Sequence, residues 1–466
     1  MVLKLKRNQK YEMDMCNGNL FFKIIKFSIP LALMGILQLL YNAADLIVVS
    51  NFSGDTEALG AVGSTGPLIN LVVNLFMGLS VGTNVVCARM FGAKETERVS
   101  KVVHTSILTS FIIGIFLGAF GYFFSGTLLH IMNNDLELSK TYLKIYFLGL
   151  PFSLVYNFAA AILRAVGDTK RPLYFLTISG VANILLNLLF VIVFKLSVAG
   201  VAIATVASQI ISFALIMITL IKTKECYRFR FSELKISKVE LMQIIKIGLP
   251  AGIQSTIFSM SNAIIQSSVN AFGITAMNGN TAAQSIEGFV YTSMNSVYHA
   301  SLAFTGQNYG AKDVKNIKKV TIYSLTIVTL FALLVGQPLF WFGRDVLKIY
   351  TTIPTEIEVG YIRLHYLTLP YFLCGIMDVM VGVLRGIGYS IMPMIVSIIG
   401  VCGFRIAWIY AIFYQATSFT NVSDLNLLYV SYPISWLITF LVHLITYFVV
   451  SKKVFIRLKD EKKALE

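Results

Sequence analysis

The sequence is short of charge, of acidic residues and of organised cysteine, and each shortage removes a class of protein. Only 13% of the 466 residues are charged, whereas 56% are hydrophobic and mean hydropathy is +0.74. That balance excludes an intrinsically disordered chain and exceeds what a soluble core uses. The five cysteines, Cys16, Cys87, Cys226, Cys374 and Cys402, have no C-x-x-C spacing, so neither a disulfide framework nor a metal site is expected. The five histidines are dispersed as well. Acidic residues number 23 against 38 Lys and Arg, leaving a net charge of +15. A nucleic-acid surface would gather that excess. Here it is spread over short segments between apolar runs, which is the pattern of membrane topology. The first 20 residues are too long and too mixed for a signal-peptide n-region, and no small-residue cleavage site follows, so the first apolar run is expected to be retained.

In place of charge there are long hydrophobic runs. They fall near 21–50, 61–88, 102–125, 141–163, 172–195 and 198–221, then at 242–271, 281–305, 319–343, 361–384, 391–414 and 427–451. A bilayer crossing takes about 20 apolar residues, so these read as twelve spans, and both termini share one side. Basic residues identify that side. Lys4, Lys6, Arg7 and Lys10 precede span 1, and Arg89, Lys94, Arg98 and Lys101 follow span 2. Lys222, Lys224, Arg228, Arg230, Lys235 and Lys238 fill the central linker, and Lys452, Lys453, Arg457 and Lys459 close the chain. The intervening loops are poor in Lys and Arg, which predicts that both termini are cytoplasmic, in a multi-pass protein of the cytoplasmic membrane.

The halves repeat. Pro30 in SIPLALMG matches Pro250 in GLPAGIQ, and FGAKETERV at Phe91 matches YGAKDVKNI at Tyr309. YLKIYFLGLPF at Tyr142 matches YIRLHYLTLPYF at Tyr361, and LRAVGDTKRP at Leu163 matches LRGIGYSIMP at Leu384. Four anchors in one order at nearly one offset define an internal repeat. Each copy has an even number of spans, so the copies share an orientation. The predicted architecture is an all-α polytopic membrane protein of twelve transmembrane helices, as two six-helix lobes related by a parallel repeat. Its expected divisions are a cytoplasmic tail at 1–20, lobes at 21–221 and 242–453, a cytoplasmic linker at 222–241 and a second tail at 454–466.

Within this apolar chain the informative residues are polar ones inside spans. Gln38, Asn42 and Asp45 share one face of span 1. A carboxylate there costs roughly 2.5–3.5 kcal/mol on insertion scales, so it should face other helices or water. Asn183 and Asn187 are one turn apart in span 5, and Thr205, Ser208 and Gln209 lie in span 6. With Asp45 they form a candidate oxygen-lined pocket for a proton or small hard cation. Amides that merely tie helices together are the competing explanation. Asp378 in span 10 is a second carboxylate, aligned with Asn157 in the first copy, and Arg385 follows two turns later on the same face. Span 7 offers Ser255, Ser259, Asn262 and Gln266. Span 8 offers Glu287, Tyr291, Asn295 and His299, while Arg405 lies in span 11 and His443 reads as a packing residue. Counting about 1.5 Å per residue from the span ends places Glu287 and Arg405 at the same depth. Charges inside a membrane usually pair, which predicts a Glu287–Arg405 ion pair.

Taken together, P-x14-D in span 1, FGAK after span 2, LRAVGDTKRP after span 4, N-x3-N in span 5 and LRGIGYS after span 10 resemble the multidrug and toxic-compound extrusion (MATE) family over nearly the whole chain. The resemblance implies two six-helix lobes around a central cleft and alternating access driven by H+ or Na+ antiport. It places the cation site at Asp45, Asn183, Asn187 and Thr205. Gln38, Asn42, Asn157, Ser255, Asn262, Gln266, Glu287, Tyr291, Asn295, Asp378 and Arg405 are the candidate cavity residues. Two departures from the family pattern are Asn187, where some members have a second carboxylate, and the neutral neighbourhood of Phe258 in span 7. The expected activity is export of amphipathic, cationic organic compounds by a secondary transporter that acts as a monomer, with no cofactor beyond the coupling ion and no nucleic acid. A lipid-linked saccharide flippase is the alternative and would need a more cationic cavity. A membrane-embedded transferase, the remote alternative, would need clustered His or carboxylates and unlike halves.

Overall fold

The computed structural model describes residues 11–52, 58–131 and 136–464, and among these it contains helices and turns but no strand. The helices are α1 (Leu20–Phe52), α2 (Ala58–Gly92), α3 (Thr96–Ile131), α4 (Glu137–Ala165), α5 (Lys170–Leu188), α6 (Ser197–Lys222), α7 (Lys238–Asn270), α8 (Ile274–Gly310) and α9 (Val314–Leu347). They continue with α10 (Pro354–Leu367), α11 (Tyr371–Gly386), α12 (Ile391–Ala416) and α13 (Ser431–Lys463). Among the described residues ten helices are long and apolar enough to cross a membrane, and α10 with α11 makes an eleventh, bent by 52°. The twelfth expected span corresponds to α8. Its 37 residues suffice in length, but Asn278, Asn280, Gln284 and Glu287 make its sequence too polar to stand out. Phe116, Phe123, Leu334 and Val449 are among the large apolar side chains left exposed, the arrangement a lipid-facing surface requires.

The sequence repeat is a repeat of backbone geometry. FGAK ends α2 and YGAK ends α8, with Lys94 at φ 61° and Lys312 at φ 55°. The N–H groups of Glu95 and Asp313 close each cap at 3.0 Å on the carbonyls of Met90 and Asn308. Gly167 (φ 96°) ends α4 and Gly388 (φ 98°) ends α11, with the next N–H donating at 2.9 Å to Leu163 and to Leu384. These are left-handed helix caps, so the motifs specify helix ends in both copies. A π-helical turn ends α5 at Leu189–Val193 and recurs in α12 at Ile409–Phe413. One equivalence is broken. Pro151 lies within continuous α4, whereas its counterpart Pro370 separates α10 from α11.

The chain divides into two compact units, one of Met1–Asp14 and Leu33–Leu249, the other of Met15–Ala32 and Pro250–Glu466. The divisions therefore differ from the expected 21–221 and 242–453. Both first helices of the repeat are divided near their proline, α1 between Ala32 and Leu33 and α7 between Leu249 and Pro250. In the second unit, Phe27 of α1 meets Phe304 edge-on at 5.6 Å, and Phe21 meets Tyr323 at 5.7 Å. The Asn308 amide donates to the Met15 carbonyl at 2.9 Å. In the first unit, α7 lies on α2 through facing glycines. A Cβ on Gly82 would stand 2.2 Å from the Ile244 carbonyl oxygen, and one on Gly248 would stand 2.7 Å from Leu79 Cα.

Residues 222–241, expected as a linker, are a packed part of the first unit. Tyr227 and Phe229 are buried there. Phe229 stacks on His104 at 5.2 Å, and Arg230 N donates to His104 Nε2 at 3.0 Å. Ser237 N donates to Thr105 Oγ1 at 3.0 Å, and Tyr227 OH to Glu12 Oε1 at 2.7 Å. Two buried aromatics in a basic stretch account for this, since their burial offsets the ordering of the segment.

Candidate functional site

In the first unit α1 and α5 approach at Gly180. A Cβ there would stand 1.9 Å from Cε2 of Tyr41, so only glycine lets the ring lie on α5. One turn beyond Tyr41 this contact brings Asp45 level with Asn187. Asn187 Nδ2 donates to Asp45 Oδ1 at 2.5 Å and to Asn183 Oδ1 at 3.3 Å. Both amides are buried, and Asn187 Oδ1 is buried with no hydrogen-bond partner among the described residues. Behind them packs an apolar cluster that includes Val48, Val49, Tyr142, Val191 and Val201. One donor thus serves two acceptors, while a carboxylate and an amide oxygen are left short of donors. An oxygen set so poor in protons is chemically suited to take up a proton or a hard cation.

The other expected members of that site are placed differently. Thr205 Oγ1 donates to the Val201 carbonyl of its own helix at 3.0 Å. Gln38 and Asn42 are exposed on α1, with no hydrogen bond among the described residues. Asn157 donates to the Ser153 carbonyl at 2.9 Å. The structure therefore brings Asp45, Asn183 and Asn187 together and leaves the rest as flanking polar groups.

The second unit holds a larger network, and it corrects the expected ion pair. Glu287 does not meet Arg405. It takes both branches of Arg363 from α10, Nε at 2.9 Å and Nη2 at 2.8 Å. Arg363 Nη1 donates to Asn280 Oδ1 at 2.9 Å, and Tyr429 OH donates to the same oxygen at 2.8 Å. The Asn280 amide then donates to Gln266 Oε1 at 2.7 Å, joined there by Gln284 at 3.1 Å. Matching depth fixed only one coordinate, and the azimuth of each helix selects Arg363. Arg405 instead lies over the Tyr432 ring, its Cζ 3.8 Å from the centroid and 5.5 Å from that of Trp436, and its Nε donates to Ser435 Oγ at 3.0 Å.

Asp378 is half-buried on α11 and makes no hydrogen bond or ion pair among the described residues. Arg385, two turns on, is engaged elsewhere, donating to Tyr298 OH at 2.7 Å and Gln254 Oε1 at 2.8 Å. Ser255 and Asn262 are exposed on α7, and Tyr291 is exposed on α8 with the Asn295 amide at 3.5 Å. His443 is buried against Ser397 at 3.0 Å, a packing role.

Arg363, Asn280, Tyr429 and Tyr432 were not among the sequence candidates. The signal for Arg363 was present in YIRLHYLTLPYF, where it aligns with Lys144 of the first copy. Among the described residues Lys144 forms no ion pair to match Arg363–Glu287, and its Nζ lies 5.6 Å from the Tyr122 ring centroid.

Comparison with known proteins gives one answer. The MatE family model matches residues 30–189 and 250–411, once in each half. The probable multidrug resistance protein YpnP of Bacillus subtilis is 27% identical, covering 83% of this chain and 87% of the relative. YoeA, also named a probable multidrug resistance protein of Bacillus subtilis, is 28% identical over 89% and 90%. A solved outward-facing multidrug resistance MATE family transporter of the MOP superfamily matches in fold with a TM-score of 0.87. It is 23% identical, with 96% of this chain and 98% of that one covered.

Proposed function

The chain belongs to the MATE family of multidrug efflux transporters, and from that premise we propose that it is an antiporter that exports amphipathic organic cations by alternating access, with Asp45 as the residue that couples export to H+ or Na+ entry. It is a transporter rather than an enzyme. The observation that carries the coupling proposal is the Asp45–Asn187–Asn183 cluster with its orphan oxygen. Either ion answers the same deficit. A proton on Asp45 turns the carboxyl into a donor for Asn187 Oδ1, whereas Na+ would be shared by both oxygens. In each case the charge of α1 changes where α1 touches α5, beside Gly180. An ion drives transport only if it binds one access state more tightly than the other, and a carboxylate with one hydrogen bond in an apolar wall has strong reason to prefer the state that supplies its ion.

Pro30 lies two residues before the unit boundary in α1 and Pro250 lies at the one in α7, and because proline has no N–H to donate, a helix bends there without losing a hydrogen bond. The test of the reading is efflux of a preloaded cationic dye from right-side-out membrane vesicles under separately imposed inward proton and sodium gradients. Efflux driven by one gradient identifies the ion. Dye movement indifferent to both gradients would refute antiport.

A further inference from the structure

In the first unit the segment from α6 to α7, residues 223–237, lies against the first turns of α3. The backbone N–H groups of Arg230 and Ser237 fasten it to His104 and Thr105, and segment and helix together form a cleft of about 970 Å³. Lys101 of α3, Arg228 and Lys235 of the segment, and Lys238 at the start of α7 line it. None of these four has a carboxylate partner among the described residues. Arg230 lines the cleft too but is engaged by Glu233 at 2.5 Å, whose other oxygen takes the Ser100 hydroxyl at 3.1 Å. Glu97 and Glu225 are the remaining acids of the lining, so five cations face three carboxylates. Holding unpaired cations in one cleft costs repulsion, and an anion that enters relieves it. The flanks are apolar. Phe231 is 72% exposed, and Leu234 and Val239 are exposed as well, each next in sequence to a lining residue. The Phe231 ring is held edge-on by Phe229 at 5.1 Å, and Phe229 stacks on His104 of the lining. Lys101 and Lys238 stand just before the apolar stretches of α3 and α7, which puts the cleft at the level where these helices leave the hydrocarbon.

We propose that this cleft binds the headgroup of an anionic phospholipid of the phosphatidylglycerol type. Lys101, Lys235, Lys238 and Arg228 take the phosphodiester, and the acyl chains leave past Phe231, Leu234 and Val239. Basic pockets at the ends of spans are suited to such headgroups because charge and apolar surface are met together. The Glu97 and Glu225 carboxylates accept from the hydroxyls of a glycerol headgroup. A zwitterionic headgroup leaves the excess positive charge uncompensated. A soluble phosphate makes the same ionic contacts but gains nothing from the exposed apolar side chains. The bound lipid ties residues 223–237 to the leaflet. None of these groups belongs to the Asp45 cluster, so the inference does not depend on the export reading.

The test uses purified full-length protein in a nonionic detergent and phosphatidylglycerol with a fluorophore at the end of one acyl chain, read by polarisation. Unlabelled phosphatidylglycerol should displace it at least about tenfold more effectively than phosphatidylethanolamine with the same chains. Inorganic phosphate and glycerol 3-phosphate at matched concentration should not displace it. In the triple variant Lys101→Gln/Lys235→Gln/Lys238→Gln the affinity should fall about tenfold or more. Lys452→Gln/Lys453→Gln/Lys459→Gln removes the same charge outside the cleft and should bind as wild type does. Equal losses in the two variants, or none in either, would overturn the site, since surface charge in general would then account for binding. Wild-type protein that does not distinguish the two lipids would overturn it as well, a result that needs no variant to fold. Displacement by inorganic phosphate or glycerol 3-phosphate would overturn the lipid assignment in favour of a soluble phosphoanion.

Discussion

Replacing Glu287 by glutamine removes the carboxylate that neutralises Arg363, and the structure sets the size of the effect. Both side chains are buried, and the two charged hydrogen bonds at 2.9 and 2.8 Å hold the guanidinium between them. After the change, Arg363 keeps the Asn280 oxygen and the faces of Tyr429 and Tyr432 but has no counter-charge. Breaking one side of a buried pair costs about 3–5 kcal/mol, because the survivor is left charged and desolvated. At about 2–4 °C per kcal/mol for a unit of this size, the melting midpoint should fall by about 6–20 °C. Arg363→Met strands Glu287 and should cost a similar amount. The double variant removes both charges and should be more stable than either single one. The assay is thermal unfolding in detergent followed with a thiol-reactive dye, since Cys87, Cys374 and Cys402 are buried and free. Effects that simply add would show that the two residues do not act on each other, and the reasoning would fail.

Three further outcomes follow from the geometry. Gly167→Ala places a Cβ 2.6 Å from the Met13 backbone at φ 96°, so in the same melting assay it should destabilise by more than the roughly 1–2 kcal/mol of a left-handed non-glycine residue. Gly180→Ala should displace Tyr41 and with it the Asp45–Asn187 hydrogen bond, lowering gradient-driven efflux, and Tyr41→Ala in the same chain should restore part of it. The Arg230 guanidinium, assisted by the Ser100 hydroxyl, holds the Glu233 carboxyl below its ordinary range. A depressed acid contributes above its unfolded value and loses the contribution as pH falls through the folded one. Proteolysis of the 222–238 segment should therefore accelerate on acidification, and Glu233→Gln should flatten that dependence.

How far these features could be read from the sequence depends on their range. Asp45, Asn183 and Asn187 were legible because helical spacing puts the two amides on one face and because a carboxylate in an apolar run stands out. The repeat was legible because its motifs are helix caps, which are local. Arg363 was hidden by its position inside a repeat anchor, where its alignment with Lys144 drew attention to pattern instead of charge. The Glu287–Arg405 expectation failed because depth along a helix says nothing of its rotation. Burial of Tyr227 and Phe229, and the assignment of Met15–Ala32 to the second unit, are tertiary choices. Composition gives no sign of which neighbour a half-helix will meet. Asp45→Leu would confuse coupling with packing, but asparagine keeps the volume and can still bond to Asn187, so it isolates the charge.

The central claim, that Asp45 couples ion entry to export, is therefore tested most directly by measuring efflux of preloaded dye from right-side-out vesicles containing equal amounts of folded wild-type and Asp45→Asn protein under an imposed inward ion gradient. The account predicts that the variant binds dye but shows no gradient-driven efflux. Wild-type efflux from a well-folded Asp45→Asn protein would contradict it.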